Sequence, residues 1–193
     1  MDTGKQRILD AAVQCFSEKG FGATSMSEIA RAASTSKASV FHHFETKENL
    51  YKEVIALNYE NARKVWESVN ERPAGDIKAD LKQILKGVLE FQKEDPAPMK
   101  IAIWESLHAN APVDEENTNS IESYFSTIYS VLENRGKNNK KNRNSTQPEE
   151  MAVSIFAYAL FYPIVGLAIK DHVNLPFLQS EEAFVDWIVE KLV

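Results

Sequence analysis

The chain has 193 residues, 44% of them hydrophobic, and a formal net charge of −6 at neutral pH. That length and apolar content suffice for a sizeable buried core and exclude a peptide or a solvated tail. Cys15 is the only cysteine and the N-terminus lacks a basic-then-apolar leader. This excludes an internal disulfide framework and makes the cytoplasm the expected setting.

Few glycines, few alternating β-branched runs and many apolar residues spaced three and four apart predict an all-α fold of about nine helices. The first helix is expected over about Thr3–Lys19, with Ile8, Leu9, Ala12 and Phe16 on one face and Gly20 as its left-handed stop. Cys15 beside that stripe reads as a small buried filler. Thr24 and Ser25 then precede a second helix, Met26–Ala33, and the spacing of Ser25 and Glu28 is that of a capping box. Ser36 can cap a third helix, Lys37–His43, and Thr46 a fourth that begins at Lys47. Two short helices separated by about three residues form a helix-turn-helix.

The short hydroxyl residues of this stretch cluster at helix N-termini, where free amides and the dipole favour an anion such as DNA phosphate. Ser36, Lys37, Ala38 and Ser39 would form the leading end of the helix that enters a major groove. Phe41 and His42 follow on the same helix, and Lys47 could reach phosphate. His42 and His43 are about 100° apart on a helix and cannot chelate one metal as an i, i+4 pair does. No metal site, catalytic residue or cofactor is expected.

Residues 7–51, RILDAAVQCFSEKGFGATSMSEIARAASTSKASVFHHFETKENLY, resemble the DNA-binding region of the tetracycline-repressor (TetR) family of bacterial transcription regulators. The family's pattern is met at Ile8, Leu9, Ala11, Ala12, Phe16, Gly20, Thr24, Ile29, Ala30, Ala33, Ser36, His43, Phe44, Lys47 and Leu50. Ser34 stands where the family usually has a turn glycine, Thr35 where it has valine, Ala38 where glycine is frequent, and Phe41 where tyrosine is common. The resemblance implies a helix-turn-helix DNA-binding domain over residues 1–46. A larger domain for ligand binding and dimerisation would follow over residues 47–193. It also implies double-stranded operator DNA, a second copy of the chain and a small-molecule effector as partners.

Charge does not concentrate in the first domain. Residues 1–51 carry six basic and six acidic residues, and residues 52–193 carry sixteen and twenty-two. DNA affinity would have to come from a few placed cations and helix N-termini.

The fourth helix is expected to run to about Arg72, with Trp66 facing inward, and to stop at RPAG. Helices follow at Asp76–Glu94, Ala97–Ala109 and Glu115–Arg135; the polar, basic segment 137–147 reads as a solvated loop. Met151–Ile169 is apolar enough to raise a membrane span, but Pro163 and Gly166 interrupt it, so a helix buried on several faces and no membrane are expected. The last helix, Glu181–Leu192, carries Phe184, Trp187 and Ile188 as an apolar stripe. The resemblance implies that the last two long helices pair with a second subunit, through Phe156, Leu160, Phe184, Trp187 and Ile188. It also implies an effector enclosed among the later helices. Trp66, Phe91, Trp104, Phe125, Tyr129 and Tyr162 are aromatic candidates for that pocket, with Glu105 and His108 as further polar groups beside Tyr129 on otherwise apolar faces. The rival reading is a helical small-molecule-binding protein or enzyme that has lost DNA binding. The sequence offers no nucleophile–base pairing for catalysis.

Overall fold

The computed structural model describes residues 3–70, 76–107, 125–126, 128–133 and 147–193, and no strand occurs among them. The helices are α1 (Thr3–Ala23), α2 (Met26–Ala32), α3 (Lys37–Phe44), α4 (Lys47–Asn70), α5 (Ile77–Glu94) and α6 (Ala97–Leu107). Of the helix expected over Glu115–Arg135, residues 125–126 and 128–133 are described and helical; 128–133 is α7 below. Helix α8 (Pro148–Phe161) passes through a π-helical turn, Tyr162–Gly166, into the short α9 (Leu167–Ile169). A 3₁₀ turn, Pro176–Leu178, precedes α10 (Glu181–Leu192). The RPAG stop and segment 137–146 lie outside the described residues.

The chain forms two compact units, one of Met1–Ala62 with Asp95–Tyr124 and one of Arg63–Glu94 with Phe125–Val193. They divide inside α4, and α6, which packs on α1, belongs to the N-terminal unit. The core of that unit is one apolar cluster in which Ile8, Ala12, Phe16, Ile29, Val40, Phe44, Leu50, Val54 and Ile101 are buried. Helix α1 supplies the stripe that the sequence predicts. It breaks where the sequence places its stop: Gly20 has φ 72° and ψ 173°, a region essentially restricted to glycine.

Local chemistry fixes the turns. Ser34 takes the left-handed turn position without being glycine, at φ 51°. Between α3 and α4, Glu45 has φ 61° and ψ −50°, and the Thr46 amide donates to the Phe44 carbonyl at 2.6 Å. That is a tight γ-turn centred on a residue with a side chain, a strained arrangement. Glu45→Gly should therefore raise stability by about 0.5–1 kcal/mol, the relief of a positive φ less the extra freedom of glycine in the unfolded chain. Chemical denaturation would read this directly, and an unchanged or lower midpoint would contradict it.

In the second unit α5, α8 and α10 pack against one another. Leu81, Ile84, Leu85, Ile155, Phe184, Val185 and Ile188 are fully buried there. Lys82 pairs with Asp186 at 2.6 Å, Lys86 approaches Glu182 at 3.9 Å, and Lys93 pairs with Glu181. These exposed pairs run antiparallel along α5 and α10; at about 0–1 kcal/mol each they set direction more than they hold the helices together. Helix α8 does not continue straight through Pro163. The chain passes it in the π turn, and no described helix is long and apolar enough to cross a membrane.

This packing corrects part of the expected subunit interface. Phe184 and Ile188 are 0% exposed within the single chain, because α10 turns its apolar stripe onto its own unit's core. Trp187 is half-buried and stacks on Phe177 with ring centroids 4.2 Å apart. Neither Phe184 nor Ile188 is available to a second copy. Phe156 and Leu160 are half-buried on α8, beside its buried residues Ala152 and Ala159.

Candidate nucleic-acid interface

Helices α2 and α3 owe their N-termini to the hydroxyl residues singled out from the sequence. The Ser25 hydroxyl accepts from the Glu28 amide at 3.2 Å, and the Glu28 carboxylate accepts from the Ser25 amide at 3.0 Å, so both arms of the capping box are formed. Lys19 binds the same carboxylate at 2.8 Å. This ammonium, with the Ser25 amide and hydroxyl behind it, lowers the Glu28 pKa to about 2. A depressed carboxyl contributes its hold above its ordinary value near 4.5, and that hold is lost as the pH falls towards 2. Ser36 caps α3 by accepting from the Ser39 amide at 3.0 Å, a contact worth about 1 kcal/mol.

Helix α3 is two-faced. Val40 and Phe44 are buried against the core, whereas Ser36, Lys37, Ala38, Phe41 and His42 are exposed and Ser39 is half-exposed. Phe41 is 41% exposed, unusual for a phenylalanine, and the Lys37 ammonium lies 5.6 Å from its ring centroid. The leading turn thus presents a hydroxyl, an ammonium, a methyl and an aromatic edge on one surface. His42 and His43 stand edge to face with centroids 5.5 Å apart, and among the described residues no group of ligating side chains could hold a metal ion.

Three residues expected to touch DNA are otherwise occupied. Thr24 is 2% exposed, and its hydroxyl donates to the carbonyl of Gly20 at 2.8 Å while approaching that of Cys15 at 3.2 Å. Its side chain therefore secures the end of α1 rather than reaching a phosphate. Ser25 is committed to the capping box, its hydroxyl donating to the Glu28 carboxylate at 3.0 Å. The Lys47 ammonium donates to the carbonyls of Phe21 at 2.9 Å and Thr24 at 3.0 Å, and sits 4.1 Å from the Phe21 ring centroid. Cys15 is half-buried, and burial, then Glu28 and Glu18, push its thiol pKa up. It is not an activated thiol.

The residues proposed for an effector pocket fall in both compact units. In the N-terminal unit, Trp104 donates from its indole nitrogen to the Ser17 carbonyl at 3.2 Å and lays its ring over Gly20. Glu105 is 6% exposed and hydrogen-bonded to the phenol of Tyr51, itself 1% exposed. Burial and this carboxylate push the Tyr51 pKa up. Both residues thus join α6 to its neighbours, an internal use that the sequence did not reveal. In the second unit, Phe125 and Tyr129 stack at 6.4 Å, and the Tyr129 hydroxyl is 3.2 Å from the Glu149 carboxylate. Phe91 is half-buried, and Tyr162 is buried with its ring stacked 4.4 Å from Phe184. The side chain of Trp66 and all of His108 lie outside the described residues.

Residues 8–54, the span of this helical array, match the family described as bacterial regulatory proteins, tetR family. Residues 8–54 are thus a TetR-family DNA-binding domain by sequence. The HTH-type transcriptional regulator AcrR of Shigella flexneri is 35% identical over 86 residues, which cover 45% of this chain and 40% of AcrR. The HTH-type transcriptional repressor AcnR of Corynebacterium glutamicum is 34% identical over 86 residues, again 45% of this chain and 40% of the relative. The chain thus spans less than half the length of these two TetR-family relatives in the matched region. Solved structures extend the likeness in fold to almost the whole chain. A gamma-butyrolactone receptor (ArpA-like protein) superposes with a TM-score of 0.68 at 16% identity, covering 99% of this chain and 97% of that one. GusR of Salmonella enterica gives 0.68 at 20% identity, with 98% of each chain covered. The fold of these structures is therefore shared along both compact units, while the family match, residues 8–54, lies within the first.

Proposed function

We propose that this chain is a ligand-responsive, DNA-binding transcriptional regulator: a homodimeric repressor released from a palindromic operator by a small molecule. The observation that carries the DNA-binding reading is the surface of α3, an eight-residue helix buried on one side and exposing Ser36, Lys37, Ala38, Phe41 and His42 on the other. Arranged this way, the second helix of a helix-turn-helix can enter a major groove with its N-terminal residues against base edges. Lys37 can donate to a guanine edge, and the methyl of Ala38 suits the methyl of thymine. Relatives described as an HTH-type transcriptional repressor and an HTH-type negative transcriptional regulator support the direction of regulation. The same relatives, regulators rather than enzymes, argue against the catalytic alternative.

A second copy is supported by α8, which leaves Val153 56% exposed and Phe156, Ala157 and Leu160 on the same side. This i, i+3, i+4, i+7 stripe is apolar throughout and suits helix-to-helix pairing between two copies. The effector reading rests on Phe91, Phe125 and Tyr129, half-buried aromatic side chains of the second unit. Trp104, Glu105 and Tyr162 are better explained as packing.

The reading is tested by selecting duplexes from a random pool with the purified chain. The expected product holds two half-sites about 34–36 Å apart, one for each α3 of a dimer. Lys37→Ala and Ser39→Ala should alter which bases are selected. Selection of the same sequences by both variants would remove α3 from base recognition.

A further inference from the structure

Its place at the start of α4 offers Lys47 to DNA phosphate, yet the Lys47 ammonium has three N–H donors and three internal partners. Two are the carbonyls of Phe21 and Thr24, at 2.9 and 3.0 Å. The third is the ring of Phe21, whose centroid is 4.1 Å from the nitrogen. Two of the three donors are thus spent on carbonyls, and the ring attracts the same charge.

We propose that Lys47 is a positioning residue, a clamp that ties the α1–α2 turn to the start of α4 and makes no phosphate contact of its own. The inference rests on the DNA-binding reading above and changes how that binding is built. Helix ends leave carbonyls without intrahelical partners, and a cation is the favoured group to meet them. Thr24 carries the turn onward: its hydroxyl holds the Gly20 carbonyl at 2.8 Å, and Ser25 beside it caps α2. On the other side, Lys47 lies two residues beyond the γ-turn at Glu45 that ends α3. The clamp therefore closes a loop whose members are the end of α1, the start of α2, the end of α3 and the start of α4. It fixes the angle at which α3 is presented. Ion pairing of Lys5 with Glu53 at 2.8 Å joins α1 to α4 elsewhere, so the clamp is not the sole tie between them.

Lys47→Met and Lys47→Arg of the full chain separate the two roles, measured on the duplex selected by the wild type across a salt series. A phosphate contact is kept by arginine and lost by methionine. A clamp is lost in both, because the bulkier planar guanidinium does not place its donors where the compact ammonium meets the two carbonyls. The expected result is that both variants bind more weakly by the same factor at every salt concentration, with an unchanged log–log slope and a lowered Tm. A slope shallower by about one in the methionine variant, with the wild-type slope and affinity kept by arginine, would overturn the proposal. Should the methionine variant fail to fold, the arginine variant decides alone: wild-type affinity refutes the clamp. If the wild type selects no duplex, the DNA-binding reading fails by itself. The Tm still judges the clamp then, and equal values for wild type and both variants refute it.

Discussion

Replacing Gly20 with alanine should destabilise the N-terminal unit by about 2–6 kcal/mol, from two causes that add. The first is conformational: φ 72° with ψ 173° is a backbone state that side chains scarcely tolerate, costing about 1–3 kcal/mol. The second is steric, since a methyl placed there would meet the Trp104 ring at 3.0–3.2 Å. Overpacking of this kind costs about 1–3 kcal/mol. The indole cannot swing away without breaking its hydrogen bond to the Ser17 carbonyl. A denaturation midpoint within error of the wild type would mean that neither the turn nor the ring is held as described.

Phe184→Ala should have a comparable effect on the second unit, about 3–5 kcal/mol, the usual cost of emptying a core aromatic site. Phe184 is 0% exposed, stacked on Tyr162 at 4.4 Å and met edge-on by Tyr158 at 6.4 Å. With total stabilities of about 5–15 kcal/mol, such a loss shows plainly in thermal unfolding. The same experiment discriminates between core and subunit interface. A variant that unfolds at the wild-type temperature but is monomeric by light scattering would put Phe184 at an interface and contradict the packing of α10.

The elements that the sequence announces are those whose signals are local. The S-x-x-E spacing of Ser25 and Glu28 foretells a capping box because both partners lie within one helical turn, and Ser36 foretells the start of α3 for the same reason. Gly20 marks the break in α1 because few other residues can occupy its backbone conformation. The exposed face of α3 follows from the burial of Val40 and Phe44 four residues apart.

What the sequence hides is set by distant partners. Lys47 at a helix start reads equally well as a hand held out to an anion; its acceptors are 23 and 26 residues away. Glu105 reads as a polar group offered to a ligand because Tyr51, which binds it, lies on another helix. The stripe of Phe184 and Ile188 announces burial without saying whether the covering surface is the chain's own or a second copy's. Thr24 is another such case, its hydroxyl turned back on the end of α1. Hydrophobic periodicity identifies a buried face, but only the fold supplies its neighbour.

The central claim is that α3 reads DNA sequence, and the most direct measurement is an anisotropy titration of the intact chain on its selected duplex and on duplexes altered one base pair at a time within a half-site. The expected result is a loss of about 1–3 kcal/mol for each changed base pair beneath α3, and little change for base pairs outside the half-sites. Equal affinity for every duplex, with the same salt dependence, would show that the chain holds only the phosphate backbone and would contradict the assignment of Ser36, Lys37, Ala38 and Ser39 to a base-reading surface.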